Sequence, residues 1–138
     1  VLGQGSEVDF AFDGDVVYHE LGHGVVRHLN SDGLRKWNLR EDGVLRDARA
    51  LNEAVADYHT IMVTEDPALA EYVGFYWPAF EEPWIRHAEN DNWCPRFAHG
   101  QEHRDSEAVT AALWAAREIL GEGLDLVLLD AIPLWPRT

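Results

Sequence analysis

Gly14-Asp15-Val16-Val17-Tyr18-His19-Glu20-Leu21-Gly22-His23-Gly24-Val25-Val26 and, further along, Leu51-Asn52-Glu53-Ala54-Val55-Ala56-Asp57-Tyr58-His59 are the two stretches whose reading decides the fold. Both carry apolar residues at helical spacing, with polar groups gathered on one side. In the first, His19 and His23 stand four apart. A helix then points both imidazoles the same way, and a divalent metal can sit between them. Glu20, one position along, can reach a water beside such an ion. In the second stretch Glu53 offers a third ligand of suitable hardness, and Asp57 lies one turn further along the same face. Two histidines and a glutamate with a fourth position left open make the ligand set of a catalytic rather than a structural zinc site. Asp57 then suits the role of the carboxylate that accepts the other N–H of a ligating imidazole.

The bland reading makes His19 and His23 half-buried helix histidines satisfied by carboxylates, and makes Glu53 and Asp57 a solvated helix face. Gly22 and Gly24 argue against it. Glycine inside a helix costs roughly 1 kcal/mol relative to alanine, so each predicts a close approach by a metal site or a second helix.

These residues resemble the thermolysin-like gluzincin metallopeptidases, and within them the fungalysin-type branch and its bacterial relatives. Asp15 to Gly24 is similar to that branch's zinc helix, and Asn52-Glu53-Ala54-Val55-Ala56-Asp57 to the glutamate helix of the group. Glu102-His103-Arg104-Asp105-Ser106-Glu107, ahead of a helix ending at Gly121, resembles the segment in which a histidine hydrogen-bonds the transition state. Ile85-Arg86-His87-Ala88-Glu89-Asn90-Asp91 also matches the bacterial pattern, with no chemistry assigned to it. The similarity runs from about Phe10 to about Leu129.

The resemblance implies a mainly α, α+β zincin-like fold. It has an active-site helix, a glutamate helix and C-terminal helices, forming one catalytic-core domain over residues 1–138 or a fragment of a longer peptidase. It implies one catalytic Zn2+ held by His19, His23 and Glu53, with Asp57 supporting His19. Glu20 would be the general base and His103 the donor to the oxyanion. The activity implied is hydrolysis of internal bonds in peptide or protein substrates, in a secreted enzyme.

The chain departs from the family in three places. No strand resembling the family's peptide-binding edge strand is visible ahead of Phe10. No tyrosine lies between Gly24 and Asn52, and no aspartate within Phe97–Gln101 to orient the histidine. A non-catalytic zinc-binding module, or a core lacking its substrate strand, is therefore the competing expectation. The retained Glu20 speaks for catalysis. An aminopeptidase would need a residue to capture the substrate amine, and no such motif is evident.

Composition bounds the rest. A chain of 138 residues with 46% apolar content suffices for one core. A net charge of -14 excludes nucleic acid as a natural partner. No apolar run is long enough for a membrane span. The acidic pairs Glu81-Glu82 and Glu89/Asp91 lack calcium-loop spacing, so Ca2+ finds no support and they read as solvated surface. Oligomeric state has no signature. Cys94 is the only cysteine, which excludes an internal disulfide, and it reads as a small packed residue.

Along the chain, residues 1–13 read as an irregular, partly extended lead-in. Asp13 or Gly14 caps the zinc helix, which ends near His28 or Leu29 at the turn cluster Asn30-Ser31-Asp32-Gly33. Residues 34–47 read as a surface loop, Ala48 to Val63 as the glutamate helix and Ala68 to Val73 as a short helix. Phe75, Tyr76, Trp77, Phe80, Trp84 and Trp93 fit core filling beneath loops better than a pocket wall. Asp105 or Ser106 caps the helix Ala108–Leu120, and Leu124 to Ile132 forms a buried terminal helix. Of the other histidines, His59 and His28 lie off the metal-facing side. His87 and His99 sit in loop-like sequence, with His99 second to His103 for the oxyanion role.

Overall fold

Asp13 starts the first helix and fastens it to the rest of the molecule. In this computed structural model, which describes residues 5–30, 34, 38–40, 43–45, 47–94, 96 and 100–135, its Oδ1 accepts from the Asp15 and Val16 N–H groups at 3.0 and 3.4 Å. Its Oδ2 accepts from Val73 N–H at 2.9 Å. A short 3-10 turn, Phe10–Phe12, leads in, and helix α1 runs Gly14–Leu29 with the Asn30 N–H closing it on Val26. The expected cap and stop are both found; residues 31–33 of the turn cluster lie outside the described residues.

Helix α2, Asp47–Thr64, packs antiparallel on α1. The direction follows from the contacts: Thr60 donates to the Asp15 carbonyl near the start of α1, and Asn52 meets His23 further along. Gly22 makes this approach possible. A Cβ there would lie 2.9 Å from Ala56 Cα and 3.1 Å from His59 Cβ. Gly24 has open space beside its Cα, so the expectation of a close neighbour fails at that position.

Two small antiparallel sheets flank α2. Strands β1, Asn38–Arg40, and β2, Gly43–Leu45, pair Leu39 with Val44 inside the stretch read as a surface loop. Strands β3, Ala68–Leu69, and β4, Arg86–His87, pair Leu69 with Arg86. The expected helix Ala68–Val73 is thus replaced by a strand followed by α3, Glu71–Tyr76. Between them Ala70 takes a left-handed φ of 62°. The Ala70 N–H donates to Asp15 Oδ2 at 2.9 Å, which supports the strained junction.

The C-terminal part is helical: α4, Glu102–Asp105, α5, Glu107–Leu120, and α6, Gly123–Ala131, then a 3-10 turn Ile132–Leu134. Ser106 lies at the head of α5 but does not cap it. Its backbone is helical and its hydroxyl donates to the His103 carbonyl, because α4 runs directly into α5.

Three apolar clusters hold these elements together. Tyr58, Ile61, Leu69 and Trp114 join α2, β3 and α5. Val26, Leu34, Val55 and Ile132 join α1, α2 and the chain's last turn. Val8, Ala70 and Val73 close the lead-in against α3. The architecture is mainly helical.

Several burial expectations are corrected. Helix α6 contributes Leu124, Leu128 and Leu129 to the clusters but has no fully buried residue, and Leu126 and Val127 face outward. Phe75, Tyr76 and Trp93 are exposed, and Trp77, Phe80 and Trp84 are half-buried, so the aromatic segment caps the core from outside. Cys94 is exposed, not packed.

Candidate metal site

The antiparallel pairing of α1 and α2 brings the sequence-predicted ligands onto one line. His19 Nε2 lies 3.1 Å and His23 Nε2 3.5 Å from the same atom, Glu53 Oε2. Ligand atoms of His19, His23 and Glu53 all fall within 4.8 Å of one another, the one such cluster among the described residues. Both imidazoles turn their remaining nitrogen outward to an acceptor. His19 Nδ1 faces Asp57 Oδ1 at 2.9 Å, and His23 Nδ1–H donates to Asn52 Oδ1 at 2.5 Å. When each imidazole keeps only its Nδ1 proton, both Nε2 atoms are left facing Glu53 as candidate metal ligands.

Glu53 shows how the cluster could accommodate a metal. Its Oε2 is buried and makes no well-formed hydrogen bond, although three imidazole nitrogens surround it. A buried carboxylate oxygen without a proper donor costs free energy. A cation among these donors would remove that cost, and the two-nitrogen, one-oxygen set suits zinc. The residues present fit the ion.

Electrostatics around the cluster run outward through charged partners. Burial alone would push Asp57 up, but Arg86 beside it, with His19 on the other side, holds the carboxyl below its usual range. Arg86 Nε and the guanidinium Nη2 donate to the two Asp57 oxygens at 2.9 and 2.6 Å. Burial would lower His19, yet Asp57 and Glu53 outweigh it and lift the imidazole to about 9. Burial would raise Glu53, but the His19 and His23 imidazoles beside it bring it well below the carboxylate range.

Glu20 is exposed one residue from His19 and lines cavities on both sides of the cluster. One, about 480 Å³, is shared with His23, Arg27, Arg49 and Asn52. The other, about 170 Å³, is shared with His19, Asp57, Arg86 and His103. His103, about half exposed on α4, places its Nε2 3.6 Å from Glu53 Oε2. The ion pair from Arg49 to Glu102, 2.9 Å, ties α4 to the head of α2 and so holds His103 over the site. His99 lies outside the described residues. His59 donates to the Tyr18 carbonyl and His87 accepts from Glu89 N–H, both away from the cluster.

Three supporting residues had no role in the sequence reading. Asn52 was a letter in a motif, yet it anchors His23. Arg86 lay in a stretch with no assigned chemistry, yet it braces Asp57. Gln101 closes the stretch Phe97–Gln101, which has no aspartate to orient a histidine. Its Oε1 accepts from Arg104 N–H at 2.7 Å, and its amide nitrogen donates to His103 Nδ1 at 2.8 Å. That leaves the His103 proton on Nε2, toward the site. Polar residues at such offsets, beside a motif rather than in it, were the only signal available. Comparison with protein families, with curated proteins and with solved structures found no match.

Proposed function

We propose that the chain is the catalytic core of a zinc-dependent endopeptidase with a zincin-like fold, of the thermolysin-like gluzincin kind. The observation that carries this reading is the convergence of two imidazole Nε2 atoms on the unsatisfied Glu53 Oε2, with Glu20 free beside them at a cavity.

His19, His23 and Glu53 would hold the ion. Zinc, when bound, lowers the pKa of water and polarises a carbonyl as a Lewis acid. Glu20 lies one residue from a ligand, points into open space and takes up a proton there before passing it to the leaving amine. His103, its tautomer set by Gln101, presents an N–H to the developing oxyanion. Asp57, clamped by Arg86, keeps the His19 proton on Nδ1 and the ring in line.

The deciding experiment is Glu20→Gln, a side chain of the same shape without basicity. Zinc content measured by metal analysis is expected to stay at one ion per chain. Cleavage of quenched peptides is expected to fall by about 10²–10⁴-fold. Equal cleavage by both proteins would overturn the mechanism. Zinc binding with no cleavage by the unaltered chain would favour a non-catalytic zinc module, and no zinc at all would remove both readings.

A further inference from the structure

Across the α1–α2 interface the facing side chains form three rungs, each one helical turn from the next. Asp57 faces His19, Glu53 faces His19 and His23, and beyond them come Arg49 and Arg27. Arg27 is four residues after His23, and Arg49 four before Glu53. Each arginine therefore extends a ligand-bearing face by one turn. The first two rungs pair acid with imidazole. The third sets two guanidinium groups on the wall of one cavity of about 480 Å³.

Two cations on one rung need anions. Glu102 meets Arg49 at 2.9 Å. Arg27 is exposed and makes no ion pair among the described residues. Among the described residues, the other acids on this wall are Glu53, which faces the histidines, and Glu20, the proposed base. In a chain of net charge -14, Arg27 and Arg49 share this wall with Glu20 and Glu53 beside the candidate metal ligands, and Arg27 is the cation that no described acid meets.

We propose that this rung receives a carboxylate of the peptide substrate, so that the site selects peptides carrying one near the scissile bond. The inference rests on the peptidase reading and adds a substrate class to it. One helical turn is about 5.4 Å, and an extended peptide advances about 3.3 Å per residue. The favoured carboxylate therefore belongs to a residue one or two positions from the bond cut. Arginine suits this role because its planar fork matches carboxylate geometry. The source is an acidic side chain or a free C-terminus, and the two are separable by experiment.

Zinc-loaded protein is tested on three quenched peptide sets: amidated with Asp or Glu scanned through the central positions, amidated and neutral, and neutral with a free C-terminal carboxylate. The expected result is a kcat/KM ratio of about tenfold for one carboxylate-bearing set over the neutral set, falling to near unity in Arg27→Ala. Arg27→Glu is expected to invert the ratio towards peptides with Lys at that position. Arg27 is exposed, so both variants should fold, as circular dichroism would check. A binding arm uses the same peptides with zinc-loaded Glu20→Gln protein, with Kd read by fluorescence anisotropy. There Arg27→Ala is expected to raise Kd about tenfold for the carboxylate peptides.

Cleavage without a carboxylate preference, or with one indifferent to Arg27, would overturn the inference and leave the peptidase reading intact. Arg27-dependent binding with no cleavage by the unaltered protein would keep the carboxylate contact at Arg27 but overturn both the peptidase reading and the substrate preference built on it. Neither binding nor cleavage of any carboxylate peptide would overturn it outright.

Discussion

Asp57 is fully buried and carries a charge, and two cations account for that: His19 on one side and the bidentate Arg86 on the other. Removing one partner of a buried ion pair typically costs about 3–5 kcal/mol, because the remaining charge is stranded. Arg86→Met is therefore expected to lower unfolding stability by roughly that amount in urea titration. It should also weaken zinc binding about 10–100-fold, since Asp57 would no longer be fixed on the ligand imidazole. Adding Asp57→Asn removes the stranded charge, so the double variant should recover much of the stability. It should not recover the zinc affinity, because an amide supports the imidazole less well than a carboxylate. Recovery of both in parallel would show that Arg86 acts on folding alone.

At the level of helices and strands, α1 comes close to α2 at Gly22. A methyl group there would meet the α2 backbone at Ala56, which cannot swing aside as a flexible side chain could. Gly22→Ala is expected to cost about 1–3 kcal/mol by overpacking, and to reduce zinc affinity by separating α1 from α2. Gly24→Ala, two residues on, meets nothing and should stabilise by about 0.5–1 kcal/mol through helix propensity. Thermal melts of the pair would separate the effects, and an equal loss from both would deny the packing role of Gly22. The same contrast shows what the sequence made legible. The two long helices, their register and the Asp13 cap were readable, because apolar period and capping chemistry are local signals. The convergence of His19, His23 and Glu53 agrees with the ligand set that the resemblance implies. The strand pair Asn38–Arg40 and Gly43–Leu45 was not readable, since strands of three residues mixed with charge and glycine carry no usable alternation. Nor was Arg86, whose partner lies 29 residues away and is met only because β4 pairs with β3. The aromatic segment misled for a related reason. Its composition suits a core, while α3 buries Val73 and Gly74 and turns Phe75 and Tyr76 to solvent.

Taken as a whole, the molecule gathers titratable groups whose shifts oppose one another, and its response to pH should reveal which state the site is in. Burial, with Glu71 beside it, lifts the Asp15 carboxyl to about 7. A carboxyl raised on folding is held neutral while its unfolded counterpart ionises, so stability falls as pH rises from about 4 towards 7. His19, raised to about 9, contributes stability that is complete below the unfolded imidazole range and is lost as pH climbs through about 9. Glu53 and Asp57 are lowered, so their contribution is present above about pH 4 and disappears in acid. Without metal, the three trends set the stability maximum near the acidic end, with a continuous decline to about pH 9, and self-repulsion in a chain of net charge -14 reinforces it. Zinc bound as proposed would reverse the upper part of this profile. A ligating His19 must surrender its second proton, so zinc affinity should rise with pH until that imidazole is neutral. Thermal unfolding followed from pH 4 to 9, with zinc and with a chelator, is expected to show two curves that diverge as pH rises, the zinc-loaded protein being the more stable. Asp15→Asn should flatten only the lower part of the metal-free decline, since an amide can still accept the Ala70 N–H without carrying charge. Curves that stay parallel across the range would mean that His19 is not a ligand.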